Sequence, residues 1–481
     1  MDVTLLLPTQ QQNEMALLHL LNNASPSWLS KDELATHFSL PISTIQKNYR
    51  QLESRLLMAF PKLALEVNTT LGYRINQNIN THLGAILLSY LQDAPLFNLL
   101  SAAFDSQPFN ATLFAESFDI SRATYYREVS NLNGLLNAYG ISFDSKSGKL
   151  IGQRHLIRQF AQHFFWSAYK NNEFPLAVSQ DLAPLFSQLE EVLYSPLNSV
   201  TQKKIRFSLT VSFLDMRQGF YLEKPLLHSV SKEPLFQVIH TFLSGQFYLL
   251  NPNIIENESQ FIYQLLLTGI LSLNTTVFSK SVVTYFSHYE PASFAYVTDI
   301  LTELKGYPSL LHSDEETLAF KADLLISLHQ VQTSHSERTD MNNYSLDYFS
   351  QHYCSLYSGL ITLFQRVEKQ TKQPEKNSAI RFKALVSAIE TGFDLMEFER
   401  DFKIQVISER SHYSKKIKRE LKRYSQHKIS FSDELPTVVS PDLIITDTRI
   451  DSTHSALLYH ISYPPRATDW QEINQLMAKI G

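Results

Sequence analysis

One stretch of this chain is written twice. With a shift of 80 positions, residues 33–52 (ELATHFSLPISTIQKNYRQL) line up with residues 113–132 (LFAESFDISRATYYREVSNL). Ala35 meets Ala115, Phe38 meets Phe118, Leu40 meets Ile120, Thr44 meets Thr124, Lys47 meets Arg127 and Leu52 meets Leu132. Each copy reads as a short helix, a three-residue turn and a longer helix. Asp32-Glu33 and Asn110 stand where caps and acidic side chains satisfy free N–H groups at a helix start. Ala35 and Ala115 are small enough for two helices to cross closely. Pro41 and Ser121 open the second helices, as an N1 proline or a cap should.

The second helices are amphipathic. Ile45, Tyr49, Leu52 and Leu56 form one apolar stripe, and Tyr125, Val129, Leu132 and Leu136 form the other; both follow i, i+4, i+7, i+11 spacing. The opposite faces carry Ser43, Thr44, Lys47 and Arg50, and Arg122, Thr124, Tyr126 and Arg127. After each unit comes alternating apolar sequence around a glycine-containing turn: LALEVNTTLGYRI (63–75), turning at Asn68–Gly72, and ISFDSKSGKLIG (141–152), turning at Ser145–Gly148. That pattern predicts a β-hairpin. A helix-turn-helix followed by a hairpin is a winged helix, whose second helix fits the major groove while the wing reaches the flanking backbone. Lys146 and Lys149 place two cations on the second wing. One such pattern also fits an ordinary helical hairpin. Two at one offset, each with a hairpin and outward basic residues, point to DNA binding.

Charge supports the second unit as the more basic. Lys+Arg against Asp+Glu number 13 to 12 in residues 1–170, 17 to 25 in 171–400 and 12 to 10 in 401–481. Within the first block, residues 120–170 hold seven basic residues (Arg122, Arg127, Lys146, Lys149, Arg154, Arg158 and Lys170) against Glu128 and Asp144. A local excess of this kind in an acidic chain is a candidate polyanion-binding face. At 481 residues the chain has room for roughly three to five domains. With 44% hydrophobic residues it can bury a core throughout. Only 13 glycines argue against glycine-lined phosphate loops. The N-terminus lacks the basic start of a signal peptide, and the most apolar stretch, Phe261–Leu273, is too short to span a membrane. A single cysteine, Cys354, excludes an internal disulfide and multi-cysteine metal sites. The expectation is a cytoplasmic protein with no cofactor and no membrane partner.

Residues 175–395 read as wholly helical, in segments such as Val200–Gly219, Glu258–Leu273, Ser345–Glu368 and Ser378–Phe393, with Glu368–Asn377 as a loop. Two bundles of about 100 residues fit. No His-x₃-His pair with a nearby carboxylate suggests a metal. Cys354 reads as a small buried residue. No serine elbow or paired-carboxylate signature appears, so no enzyme is expected. Toward the C-terminus, strands at Lys403–Ile407, Lys428–Phe431, Asp442–Thr446 and Ala456–Ser462 alternate with helices at Ser411–Ser425 and Asp469–Ile480, which suggests a small α/β sheet. The helix around 415–423 carries Lys415, Lys416, Lys418, Arg419, Lys422 and Arg423 against Glu420 and reads as a solvated face.

The order of these parts resembles the Mga/AtxA-type transcriptional regulators of Gram-positive bacteria, most specifically at SFDISRATYYREVSNLNGLLNAYGI (117–141) with its wing. The resemblance implies a mostly α, multidomain chain: a winged helix at 1–80, a second at 81–172, phosphotransferase-system regulation domains at 173–284 and 285–398, and an EIIB-like α/β domain at 399–481. It also implies binding to double-stranded DNA, activation or repression of virulence and metabolic genes, a homodimer formed through the C-terminal half, and a phosphocarrier protein as partner. Two departures stand out. An EIIB enzyme keeps its phosphorylated cysteine just after the first strand, where this chain reads Val406-Ile407-Ser408-Glu409-Arg410. A serine hydroxyl has too high a pKa to replace a thiolate unaided, so that domain is expected to be non-catalytic. The helices Ile205–Arg217 and Ser259–Leu273 contain no histidine, which leaves His228, His240, His288 and His329 as candidate phosphorylation sites. The competing reading is a regulatory scaffold whose winged helices bind protein.

Overall fold

The structure is a computed structural model that describes residues 2–480 except 61–64, 76–78, 105–108, 175–180, 226–232, 272–274, 308–309, 311–312, 334–344, 372–376, 396–397, 426, 433–439, 449–455 and 463. It is mostly α and divides into two compact units. One comprises Met1–Thr275 with Gln332–Thr339, the other Thr276–Val331 with Asp340–Gly481.

The first unit opens with α1 (Thr9–Ala24), α2 (Lys31–Phe38), α3 (Ile42–Ala59) and the hairpin β1 (Leu65–Asn68) and β2 (Gly72–Ile75). Helices α4 (Asn80–Gln92) and α5 (Pro95–Ala103) lead to the second copy, α6 (Ala111–Ser117), α7 (Arg122–Leu136), β3 (Ser142–Phe143) and β4 (Leu150–Ile151). Both apolar stripes read from the sequence are buried, Ile45, Tyr49, Leu52 and Leu56 on α3 and Tyr125, Val129, Leu132 and Leu136 on α7. They join one continuous core that also takes in Ile86, Tyr90, Leu99 and Leu100 from α4 and α5. The α4–α5 pair is apolar but bent by 86°. No single helix among the described residues is long and apolar enough to cross a membrane.

The sequence repeat is also a backbone repeat. Ser39 and Asp119, 80 positions apart, both adopt left-handed φ values, 51° and 50°. In each turn the next residue closes back on the first helix: the Leu40 N–H donates to the Ala35 carbonyl (3.1 Å), and the Ile120 N–H to the Ala115 carbonyl (2.9 Å). The αL residue satisfies the last carbonyls of the first helix and aims the second helix across it. Capping agrees with the expected starts. Ser30 and Glu33 form a capping box on α2, and Asn110 accepts from the N–H groups of Thr112 and Leu113.

Helix α8 (Arg154–Tyr169) carries this half of the unit onto α9 (Ala183–Leu193), α10 (Ser199–Arg217), α11 (Pro234–Gln246) and α12 (Pro252–Leu265). One π turn, Leu266–Ile270, prolongs α12. Arg158 is 1% exposed and is held between two carboxylates, Glu258 of α12, itself fully buried, and Asp215 of α10. Its Nε donates to Asp215 Oδ2 (2.7 Å), its Nη2 to Glu258 Oε1 (3.1 Å) and to the Phe220 carbonyl (2.9 Å), and its Nη1 pairs with Glu258 Oε2. Glu258 also accepts the Leu222 N–H (3.0 Å), and Asn257 donates to the Leu222 carbonyl (2.9 Å). Arg154 pairs with Asp215 as well and lies over the Phe220 ring at 4.2 Å. Burial alone would lower the Arg158 pKa; Glu258 and Asp215 outweigh it and raise it.

The second unit contains α13 (Thr276–Tyr289), α14 (Pro291–Leu304), α15 (Asp314–Thr333), α16 (Asp347–His352), α17 (Cys354–Thr371) and α18 (Ser378–Gly392). Three sequence expectations are corrected here. The segment expected as one helix from Ser345 to Glu368 is broken at Tyr353. The stretch expected as a loop from Glu368 begins as helix, since α17 runs on to Thr371, and Glu368 faces inward, where it pairs with buried Arg381 (2.7 Å) and accepts from the Tyr296 hydroxyl (2.6 Å). Cys354 is exposed rather than buried, since it opens α17 on its solvent side and Leu356, Leu360 and Leu363 take the buried positions.

The unit closes with β5 (Phe402–Ile407), α19 (Ser411–Tyr424), β6 (Ile429–Phe431), β7 (Leu443–Thr446), β8 (Leu457–His460) and α20 (Ala467–Ile480). The four strands are parallel in the order β6-β5-β7-β8, as the alternation of strands and helices implied. Phe402, Ile404 and Val406 alternate into a core with Ile417, Leu421, Leu443, Ile445 and Ile473, while Ile407 is only half-buried.

The Arg158 node yields a stability prediction. Arg158→Met leaves Glu258 buried without its guanidinium and should cost about 3–5 kcal/mol. Arg158→Met with Glu258→Met should recover most of that loss. Chemical denaturation followed by fluorescence of the first unit's tryptophans checks this; a single variant within about 0.5 kcal/mol of the parent would contradict it.

Candidate nucleic-acid interface

The second copy brings its reading helix and its wing together through three side chains. The Tyr125 hydroxyl donates to the Ser145 carbonyl in the wing turn (2.9 Å). Asn133 brackets β3, accepting the Phe143 N–H (2.6 Å) and donating to the Phe143 carbonyl (3.1 Å). The wing turn is closed by Asp144, whose carboxylate accepts from the Ser147 N–H (3.0 Å) and hydroxyl (2.6 Å). Those bonds hold the Asp144 carboxyl below its usual range. Burial pushes the Tyr125 hydroxyl up to about 12, so it stays a neutral donor to Ser145 at any physiological pH. Gly148 allows the turn: its φ is +68°, and a Cβ there would meet Phe109 at 2.2 Å.

On this frame the expected residues divide. Arg122, Tyr126 and Arg127 are exposed on α7, and Lys146 is exposed on the wing next to Ser145. The Arg122 guanidinium is steadied by the Thr112 hydroxyl of α6 (2.8 Å). Lys149 is half-buried beside the β4 strand. Thr124 is half-buried and helps close the helix start: its N–H donates to Ser121 Oγ (3.1 Å), and the two hydroxyls lie 3.0 Å apart. In the first copy Ser43, Lys47 and Arg50 are exposed and Thr44 is half-buried. Its wing turn, Thr69-Thr70-Leu71, carries no cation, and Arg74 is tied to Glu66 (2.7 Å) and stacked over Trp28 (4.4 Å). The cationic surface is therefore greater on the second copy.

Two residues counted in the basic cluster do not belong to that surface. Arg158 is buried and Arg154 is paired with Asp215, so both charges are spent inside the unit. Sequence reasoning missed Thr112 and Asn133, which touch the interface only through hydrogen bonds across 10 positions, and it placed Ser145 in the wing turn without its bond to Tyr125. Periodicity carries no signal for such contacts.

The candidate histidines lie elsewhere. His240 Nε2 is 3.6 Å from the Glu256 carboxylate. His288 is exposed at the end of α13, with Nδ1 2.8 Å from the Thr284 carbonyl. His329 is buried, with Nδ1 2.7 Å from the Glu290 carboxylate. His228 lies outside the described residues. After β5, the Ser408 hydroxyl donates to Asp447 Oδ2 (2.5 Å), and the Glu409 N–H donates to Asp447 Oδ1 (3.2 Å). The Asp447 carboxylate thus takes up both donors at that strand end.

Comparison with known proteins bears on one part of the chain. The family model of the Mga helix-turn-helix domain matches residues 79–165, from the start of α4 into α8, and so spans the reading helix and wing just described. No curated protein matches the chain. Residues 79–165 are thus similar to the Mga helix-turn-helix domain, a DNA-binding module of transcriptional regulators.

Proposed function

We propose that this chain, a DNA-binding transcriptional regulator by its Mga helix-turn-helix domain, grips duplex DNA chiefly through α7 and the second wing, with α3 as the weaker contact. The observation that carries the reading is the exposed set Arg122, Tyr126, Arg127 and Lys146, fixed to one frame by Tyr125 and Asn133. Arg and Lys neutralise phosphates, and Tyr126 offers an apolar ring with a polar tip to a base edge. A scaffold that bound protein would favour an apolar patch at this place; the face is cationic.

The chain in this reading is a cytoplasmic, non-enzymatic homodimer. Two-fold pairs are the commonest oligomers, and duplex sites reward two-fold symmetry. The helical regions 173–284 and 285–398 act as phosphotransferase-type regulation domains, and 399–481 as an EIIB-like domain without its thiol. The four-stranded parallel sheet supports the last assignment, and the pairing of Asp447 with Ser408 and Glu409 supports its inertness.

Titration of a labelled duplex at rising salt tests the DNA contact. Affinity should fall steeply, and Arg122→Gln with Arg127→Gln should reduce the log–log slope by about two. Lys47→Gln with Arg50→Gln should reduce it less. Equal losses would contradict the ranking, and salt-independent binding the whole reading. In the same buffer the chain should sediment near twice its 55.3 kDa mass; a monomer at every concentration would refute the dimer.

A second experiment addresses phosphotransfer. Incubated with a phosphocarrier protein and its phosphate donor system, the full chain should take label only as acid-labile phosphohistidine within residues 175–395. A labelled peptide from 401–481 would overturn the assignment.

A further inference from the structure

Among the described helices, α19 concentrates positive charge as no other does. Ile417 and Leu421 are buried under it, against the sheet. Lys415, Arg419, Lys422 and Arg423 are all exposed, at i, i+4, i+7 and i+8, and so share one outward stripe. Arg419 is 78% exposed, and its contact with Glu420, at 3.9 Å, is long and solvent-screened. Lys418 and Lys422 lay their chains over the Phe431 ring, with Nζ 5.0 and 5.3 Å from its centroid, which orders two of the cations at the edge of the stripe. The helix end is anchored as well: Tyr424 stacks on Trp470 with centroids 6.0 Å apart.

We propose that this stripe of α19 is a second duplex-DNA contact, which holds phosphates and reads no bases. The inference rests on the DNA-binding reading above. The stripe consists of cations alone. Protein interfaces are depleted of lysine and centred on aromatic or aliphatic anchors, and this face presents none. Phosphate backbones ask for the reverse: solvent-facing cations on a rigid support, with no shape-specific pocket. From Lys415 to Arg423 the helix rises about 12 Å, over which a duplex offers roughly seven phosphates. The stripe lies in an α/β domain outside the Mga helix-turn-helix match, so it adds affinity for any sequence and leaves selectivity to α7.

The test uses the full-length chain and a labelled random-sequence duplex of about 45 base pairs, with binding followed by anisotropy across a salt series. One variant carries Lys415→Gln, Arg419→Gln, Lys422→Gln and Arg423→Gln. A second carries Arg122→Gln and Arg127→Gln. A third keeps the charge, with Lys415→Arg, Arg419→Lys, Lys422→Arg and Arg423→Lys. The first variant should lower the log–log slope by about two to three units, and the third should bind like the parent, which separates lost charge from lost fold. The second should retain weak, salt-dependent binding through α19. A slope for the first variant equal to the parent's overturns the proposal. So does a first variant that binds DNA normally but sediments at lower mass, which would assign the stripe to the acidic surface of a second copy. If the second variant binds like the parent while the first loses affinity, the α7 reading falls and the α19 contact stands. An unaltered chain that binds no duplex overturns both.

Discussion

A buried guanidinium ties the winged-helix half of the first unit to its helical bundle. Arg158 stands on α8, the last helix of the Mga helix-turn-helix match, and both of its carboxylate partners stand on bundle helices, Asp215 on α10 and Glu258 on α12. With Arg158 and Glu258 both out of water, separating them strands two charges at a cost of roughly 3–5 kcal/mol. The position of α8 is thus tied to that of α12 and to the Gly219–Leu222 segment, whose carbonyl and N–H groups complete the cage.

The two winged helices share a turn but not a surface charge. The αL residues Ser39 and Asp119 set the same crossing of helices, and both second helices bury the same four-residue stripe. The copies diverge in the parts that touch nothing inside. The second wing carries Lys146 beside a turn tied to α7, whereas the first turns on Thr69-Thr70-Leu71 and spends Arg74 on Glu66 and Trp28. A core that must be buried preserves the repeat, and the solvated face is free to change.

What could be read from the sequence follows the same division. Apolar periodicity located α3, α7 and both hairpins, and β5 to β8 followed from short apolar runs that alternate with helices, because burial sets a period that the sequence displays. The candidate face was legible in part: Arg122, Tyr126, Arg127 and Lys146 are exposed as their spacing implied. Arg154 and Arg158 were misassigned to it because a charge count cannot see carboxylates 57 to 100 positions away. Cys354 and Glu368 failed for a related reason. Small size argued for burying the one and a polar stretch for ending the helix at the other, and the register of α17 exposes Cys354 and carries Glu368 inward. The hydrogen bonds of Thr112 and Asn133 have no sequence period at all.

The central claim is that α7 and the second wing meet the duplex as one surface. Backbone hydrogen exchange of the full chain, with and without duplex DNA, tests it most directly. The account predicts added protection in residues 121–130 and 144–149 together, with little change in α2 and α3. Protection confined to the first winged helix, or absent from both segments when DNA is bound, would contradict it.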